Sequence, residues 1–242
     1  MTFISIPRLS STPLNFCPVL RRFLEKYEEA LESFQKVIEL NPKSIDALIN
    51  QGITLFLLER YDEALESFQE VIDRTPPSAI AWANRGHILR EMKRYKEAIF
   101  ACDQAFEIDP NSSEVLNAQA LTLSLVGDFE KAITAIDRAI ELGTHVVLNR
   151  ANRGIILARA GQYLEALDDC EQAIKQDPNH ESGYYGKACW YALQGNIDLA
   201  IENLRKSIDI APRDSRREAK HNPDFDGIRD DERFQALVYP KT

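Results

Sequence analysis

Three asparagines, Asn50, Asn84 and Asn152, are separated by 34 and then 68 residues. A carboxamide offers both a donor and an acceptor, so asparagines at one period can hold the backbone amides of an extended chain without reading its side chains. The same residues could instead brace a neighbouring helix or face solvent, and spacing alone leaves these readings open. Catalytic chemistry has less to draw on. The chain contains no P-loop, no GxSxG, no HExxH and no dinucleotide fingerprint. Its four histidines, His87, His145, His180 and His221, are scattered, with His145 and His180 near turns where an exposed imidazole is the default. Cys17, Cys102, Cys170 and Cys189 form neither a CxxC pair nor a His/Cys cluster at metal-ligand spacing. The acid pairs Asp168-Asp169 and Asp230-Asp231 read as solvated surface charge. No catalytic residue, cofactor or metal is expected, and reduced thiols in a cytosol fit the cysteine usage.

The elements that position these residues follow from a second series. Prolines recur at Pro42, Pro76, Pro110, Pro178 and Pro212, with Thr144 on the vacant beat. Such a period means stacked copies of one supersecondary unit. Twelve residues before each beat stand Ala30, Ala64, Ala98, Ala132, Ala166 and Ala200, and fifteen before stand Tyr27, Tyr61, Tyr95, Phe129, Tyr163 and Ile197. Apolar residues follow at eight and four before the beat, from Phe34 and Ile38 to Leu204 and Ile208, which is one face of a helix. An upstream segment carries Gly52, Gly86, Ala120, Gly154 and Ala188, each followed three residues later by Leu55, Leu89, Leu123, Leu157 or Tyr191. Each copy therefore holds two helices. The small residues let them approach and the large ones fill the flanks, so enlarging Ala98 or Ala132 should cost about 1–3 kcal/mol. The proline stops the second helix; where it is missing, Gly143 is expected to act as a left-handed cap.

The pattern resembles the tetratricopeptide repeat family over about residues 21–214, with the third copy reading Ala81-Trp82-Ala83-Asn84-Arg85-Gly86, Tyr95-Lys96-Glu97-Ala98 and Asp109-Pro110. The resemblance implies an all-α, right-handed superhelical solenoid of stacked helix-turn-helix repeats. It divides the chain into an irregular segment over residues 1–20, about six repeats over 21–214, and a C-terminal capping segment over 215–242. The first repeat is expected to be incomplete, because Pro13 and Pro18 fall in its first helix. The closing segment resembles the tail D-F-x-x-L/I-R-x-D-x-R-F-x-x-L found after many bacterial arrays of this family. Phe225, Ile228, Phe234 and Leu237 are placed to cover the last repeat and Asp230 to cap a final short helix, with a tail that binds a partner or folds into its own groove as the alternative.

The same resemblance implies a function. In the family, first helices line a concave groove in which peptides lie. That register puts Ile49, Asn50, Ile53 and Phe56 in the groove, then Asn84, His87 and Arg90, then Asn117, Leu121 and Leu125, then Asn152, Ile155 and Arg159, and finally Tyr185 and Cys189. The expected function is a protein–protein interaction adaptor or scaffold that binds an extended or helical peptide segment of a partner. The family's carboxylate clamp for acidic chaperone tails is not expected, since Asn84 is flanked in register by Ile49, Ile53, Glu114 and Ala118, and Asn152 by Asn117, Leu121, Ser182 and Gly186. Two alternatives stand beside this reading: an assembly factor or regulatory subunit that binds through its convex face or ends, and an enzyme with an unrecognised site. With 38 acidic against 29 basic residues and net charge −9, the chain has the wrong sign for a nucleic-acid partner. No run approaches the roughly 20 apolar residues of a membrane span. A cytoplasmic location is expected, with an organelle as the alternative suggested by the acid-free first 24 residues. The sequence leaves oligomeric state open.

Overall fold

The computed structural model describes residues 27–75 and 77–240. The expectations for residues 1–20, for Cys17 and Pro76, and for the first helix of the first repeat lie outside these. Two units are distinguished, Met1–Pro110 and Asn111–Thr242. Unit 1 contains α1 (Tyr27–Leu40), α2 (Ile45–Leu57), α3 (Tyr61–Arg74), α4 (Ala79–Glu91) and α5 (Tyr95–Ile108). Unit 2 contains α6 (Ser113–Leu125), α7 (Phe129–Glu141), α8 (Val146–Arg159), α9 (Tyr163–Gln176), α10 (Glu181–Leu193), α11 (Ile197–Ile210), α12 (Pro212–His221), a 3-10 turn (Pro223–Ile228) and α13 (Glu232–Val238). The described residues are all-α, and within each unit consecutive helices pack in pairs, as the sequence predicts.

Local chemistry sets the boundaries. Ser44, Ser78 and Ser112 stand two residues beyond the proline positions, and their hydroxyls accept from the backbone N–H groups of Ala47, Ala81 and Val115 to cap α2, α4 and α6. Each first helix then ends in a left-handed residue at one fixed place: Glu59, Lys93, Gly127, Gly161 and Gly195, with φ between 59° and 85°. One residue later the N–H of Arg60, Arg94, Asp128, Gln162 or Asn196 reaches back to the carbonyl of Leu55, Leu89, Leu123, Leu157 or Tyr191, at 2.8–3.1 Å. This bond closes the helix end as a Schellman motif and throws the chain into the second helix.

The small residues do what their spacing implies. Ala64, Ala98, Ala132, Ala166 and Ala200 are wholly buried. An added Cβ at Gly52 would meet the Phe68 ring at 2.8 Å, at Gly86 the Cys102 sulfur at 2.7 Å, and at Gly154 the Cys170 sulfur at 2.6 Å. In each case the glycine of a first helix receives the large or polarisable residue sixteen positions later on its second helix. Where the proline is missing, Gly143 adopts φ +73° as expected, and His145 follows at +51°. Asn149, buried beneath this turn, donates to Thr144 O, Ala139 O and Ser113 Oγ at 2.8–3.3 Å and so ties off the vacant beat.

A polar contact repeats at the same spacing of sixteen. Arg85 bonds Gln69 in unit 1; in unit 2 Arg153 bonds Asp137 at 2.6 Å and Lys187 bonds Glu171 at 2.9 Å. Asp169 departs from the expectation of solvated charge. It lies on the side of α9 that faces α8, is buried, and accepts from Arg153 at 2.5 Å and Arg150 at 3.4 Å. His145 is half-buried rather than exposed, its Nε2 3.1 Å from a Glu114 oxygen.

At the C-terminal end Pro212 stops α11 and begins α12 in its first turn, where a missing N–H costs nothing. The expected start of the closing segment at residue 215 falls inside α12. Phe225, Ile228, Phe234 and Leu237 are buried in a core shared with α10 and α11. The cap of α13 is Asp231, not Asp230. The helix begins at Glu232, so the residue immediately before it holds the Arg233 N–H at 2.8 Å. No helix among the described residues is long and apolar enough to cross a membrane.

Candidate protein-binding face

In unit 1 the predicted residues lie on α2 and α4. Ile49, Asn50 and Ile53 are half-buried along α2, apolar side chains left partly open on a first helix. Phe56 is buried, with its ring 4.9 Å edge-on from the His87 ring and 5.7 Å from Tyr61. His87 lies 3.5 Å from Glu91, as does Arg90, and the three side chains are only 11–17% exposed. Asn84 is 1% exposed; its amide nitrogen donates to Ile80 O at 2.8 Å, one turn back on its own helix. Of the two predicted groove asparagines in this unit, Asn50 is half-buried and Asn84 is buried, so Asn50 alone is open to a ligand without rearrangement.

In unit 2 the predicted residues divide into an open and a covered group. Asn117, Leu121 and Leu125 are half-buried on α6. Asn152 Nδ2 donates to the side-chain Oδ1 of Asn117 at 2.8 Å, which makes it a brace between α8 and α6. Ile155 is buried. Arg159, Tyr185 and Cys189 lie under the chain's own residues Asn222, Asp224 and Phe225. Arg159 Nε and Nη2 grip both oxygens of Asp224 at 2.8 and 2.9 Å, while Nη1 donates to Ser124 Oγ at 2.8 Å and Nη2 reaches Asn222 Oδ1 at 3.3 Å. The Asn222 amide donates to Tyr185 Oη at 3.1 Å and touches Cys189 Sγ at 3.4 Å; the Phe225 ring stands edge-on to Tyr185 at 5.8 Å.

The electrostatics of this second group follow from burial. Desolvation works to lower the Arg159 pKa, but the charge and hydrogen bonds of Asp224 outweigh it, so the guanidinium stands above the usual arginine range. Burial raises the Tyr185 hydroxyl and the Cys189 thiol well above their ordinary values, and pushes the Cys170 thiol up to about 12. These thiols are poor nucleophiles, and Cys170 and Cys189 form no disulfide. Among the described residues no group of three His, Cys, Asp or Glu side chains could hold a metal ion.

The sequence reading missed Asn222 and Asp224 as members of this site. Their partners lie 33 to 65 residues away, and the only local sign was an Asn-Pro pair ahead of an acid and an aromatic.

Tetratricopeptide repeat models match residues 20–79, 79–112, 101–134, 150–180 and 182–214. A 64-residue stretch is 34% identical to sperm-associated antigen 1 of Mus musculus, although the chain spans only 7% of that protein's length. Among solved structures, YrrB, described as a TPR protein with an unusual peptide-binding site, is 27% identical; the match covers 75% of this chain and 94% of YrrB at a TM-score of 0.50. The thermophilic TPR protein TTC0263 of Thermus thermophilus is 18% identical, covering 74% of this chain and 97% of its own at a TM-score of 0.62. Yeast Tom70 is 24% identical, covering 86% and 45% at 0.56.

Proposed function

We propose that this chain, which belongs to the tetratricopeptide repeat family, is a non-catalytic cytosolic adaptor that binds an extended or helical peptide segment of a partner protein on its first-helix faces. The observation that carries the reading is that each unit leaves apolar side chains partly open on a first helix, Ile49 and Ile53 on α2 in unit 1 and Leu121 and Leu125 on α6 in unit 2. Surface of that kind marks a binding face. The peptide-binding site named for YrrB lends support. Rigid helices hold these side chains in place before binding, so the ligand bears most of the ordering entropy. A second reading has its own observation. Leu40 on α1, Phe100 on α5 and Leu164 on α9 are 88%, 57% and 85% exposed, all on second helices, where an assembly factor would bind.

Capture of partners from native extract separates the two. The partner held by the intact protein should be lost when Ile53→Asp or Leu121→Asp is introduced, with folding checked by circular dichroism. If the partner is retained by both variants and lost with Phe100→Asp or Leu164→Asp, the second helices bind it and the first-helix reading is wrong.

A further inference from the structure

The contact between residues 222–225 and the first helices of unit 2 has the form of a bound ligand. A closing segment that only shields apolar surface needs apolar contacts, and Phe234 and Leu237 supply them. Residues Asn222 to Phe225 do something more specific. Asp224 presents both carboxylate oxygens to one guanidinium in a two-bond fork, which fixes orientation as well as charge. The Asn222 side chain accepts from the Asp224 N–H at 3.0 Å, setting the turn, and its amide donates to Tyr185 Oη. Phe225 then meets the Tyr185 ring. The receptor side chains come from α6, α8 and α10, all first helices, while the flanking chain is anchored separately. Arg229 bonds the carbonyls of Lys220 and Asn222, Arg216 bonds Leu237 O, and Arg233 bonds Asp198.

We infer that this part of unit 2 is a recognition site for an Asx-Pro-acidic-aromatic segment, with Arg159 as its carboxylate receptor and Asn222–Phe225 as its resident occupant. The inference rests on the peptide-binding reading above and names the ligand class at this end of the chain. Tethering gives the occupant an effective concentration in the millimolar range. A free segment of the same chemistry therefore competes only where the tether's own contacts are weakened.

The test uses the full chain and a fluorescent peptide carrying residues 219–230. Asp224→Ala/Phe225→Ala removes the occupant's carboxylate fork and its ring, which is also part of the core of unit 2, so the fold of the variant is checked first by circular dichroism. The variant should bind the peptide at least tenfold more tightly than the unaltered chain does. That gain should vanish when the peptide carries Asp224→Asn, or when Arg159→Gln is added to the variant. A variant that keeps its helicity, shows faster amide exchange over residues 222–238 and still binds the peptide no better than the unaltered chain would overturn the inference. Should the double change unfold the protein, the peptide with a photoreactive benzoylphenylalanine at position 225 is applied in large excess to an Arg229→Gln variant, whose tether has lost its bonds to the Lys220 and Asn222 carbonyls. Cross-links to Tyr185 or Cys189 support the site, and their absence overturns it. Neither result touches Ile53 or Leu121, so the broader reading stands or falls separately.

Discussion

At Gly154 the backbone of α8 comes so near α9 that a methyl group would lie 2.6 Å from the Cys170 sulfur and 2.9 Å from the Ala166 carbonyl oxygen. Alanine is the better helix former by about 1 kcal/mol, yet a backbone oxygen cannot swing aside as a side-chain tip can. Gly154→Ala should therefore destabilise unit 2 by about 1–3 kcal/mol net, read as a lower urea midpoint at unchanged slope. Gly227, with nothing within 4 Å of its added Cβ, is the control that should tolerate the same change. This much could be read from the 34-residue spacing of small residues, because close helix packing dictates residue size directly. Asn149 could not be: its three bonds belong to a turn created by the absent proline, and a missing residue does not announce its substitute. Asn152 was legible in position but not in role, since a carboxamide serves a peptide or a neighbouring Asn117 equally well.

Among the helix turns, unit 1 and unit 2 solve one problem with different residues. The left-handed place is held by Glu59 and Lys93 in unit 1 and by Gly127, Gly161 and Gly195 in unit 2. A side chain there costs about 1–2 kcal/mol, partly offset because glycine loosens the unfolded chain by about 0.4–1 kcal/mol. Lys93→Gly should thus raise the stability of unit 1 by up to about 1 kcal/mol, and Gly161→Ala should lower that of unit 2 by a similar amount; thermal melts of the two variants check both signs. The last helix carries a pH dependence of its own. The side-chain hydrogen bonds of Arg233, and then its backbone N–H, hold Asp231 at about 2, below its ordinary 3.8. A depressed carboxyl stabilises fully above its unfolded value and loses that contribution as pH falls through the folded one. The start of α13 should therefore fray between about pH 4 and pH 2, seen as falling amide protection over residues 234–238 after correction for intrinsic exchange. Asp231→Asn should remove the dependence. Boundaries such as these were legible to within a residue or so from caps and beats. The shift of the cap from Asp230 to Asp231 was not, because two adjacent aspartates offer the same chemistry.

Over the whole molecule, each unit carries its own core, one built around Phe56 and Phe68 and the other around Phe225 and Phe234. In a stack each repeat rests on its neighbours, so damage should stay local. Phe68→Ala should cost about 3–5 kcal/mol, with amide protection falling across α2 to α4 and far less across α10 to α13; uniform loss along the chain would show a single cooperative block instead. Stacking was legible because one period repeats, whereas the return of the tail into its own groove stood only as an alternative and its pairing with Arg159 was hidden, because a contact spanning 65 residues leaves no periodic trace. That contact also bears on how such a chain could change length. Whole copies can be gained or lost without disturbing the helix phase, yet Asp224 needs both the Arg159 of one copy and, through Asn222, the Tyr185 of the next. A copy lost or inserted within the final two would part Asp224 from Arg159 or Asn222 from Tyr185, whereas one gained or lost ahead of them would leave these contacts unchanged.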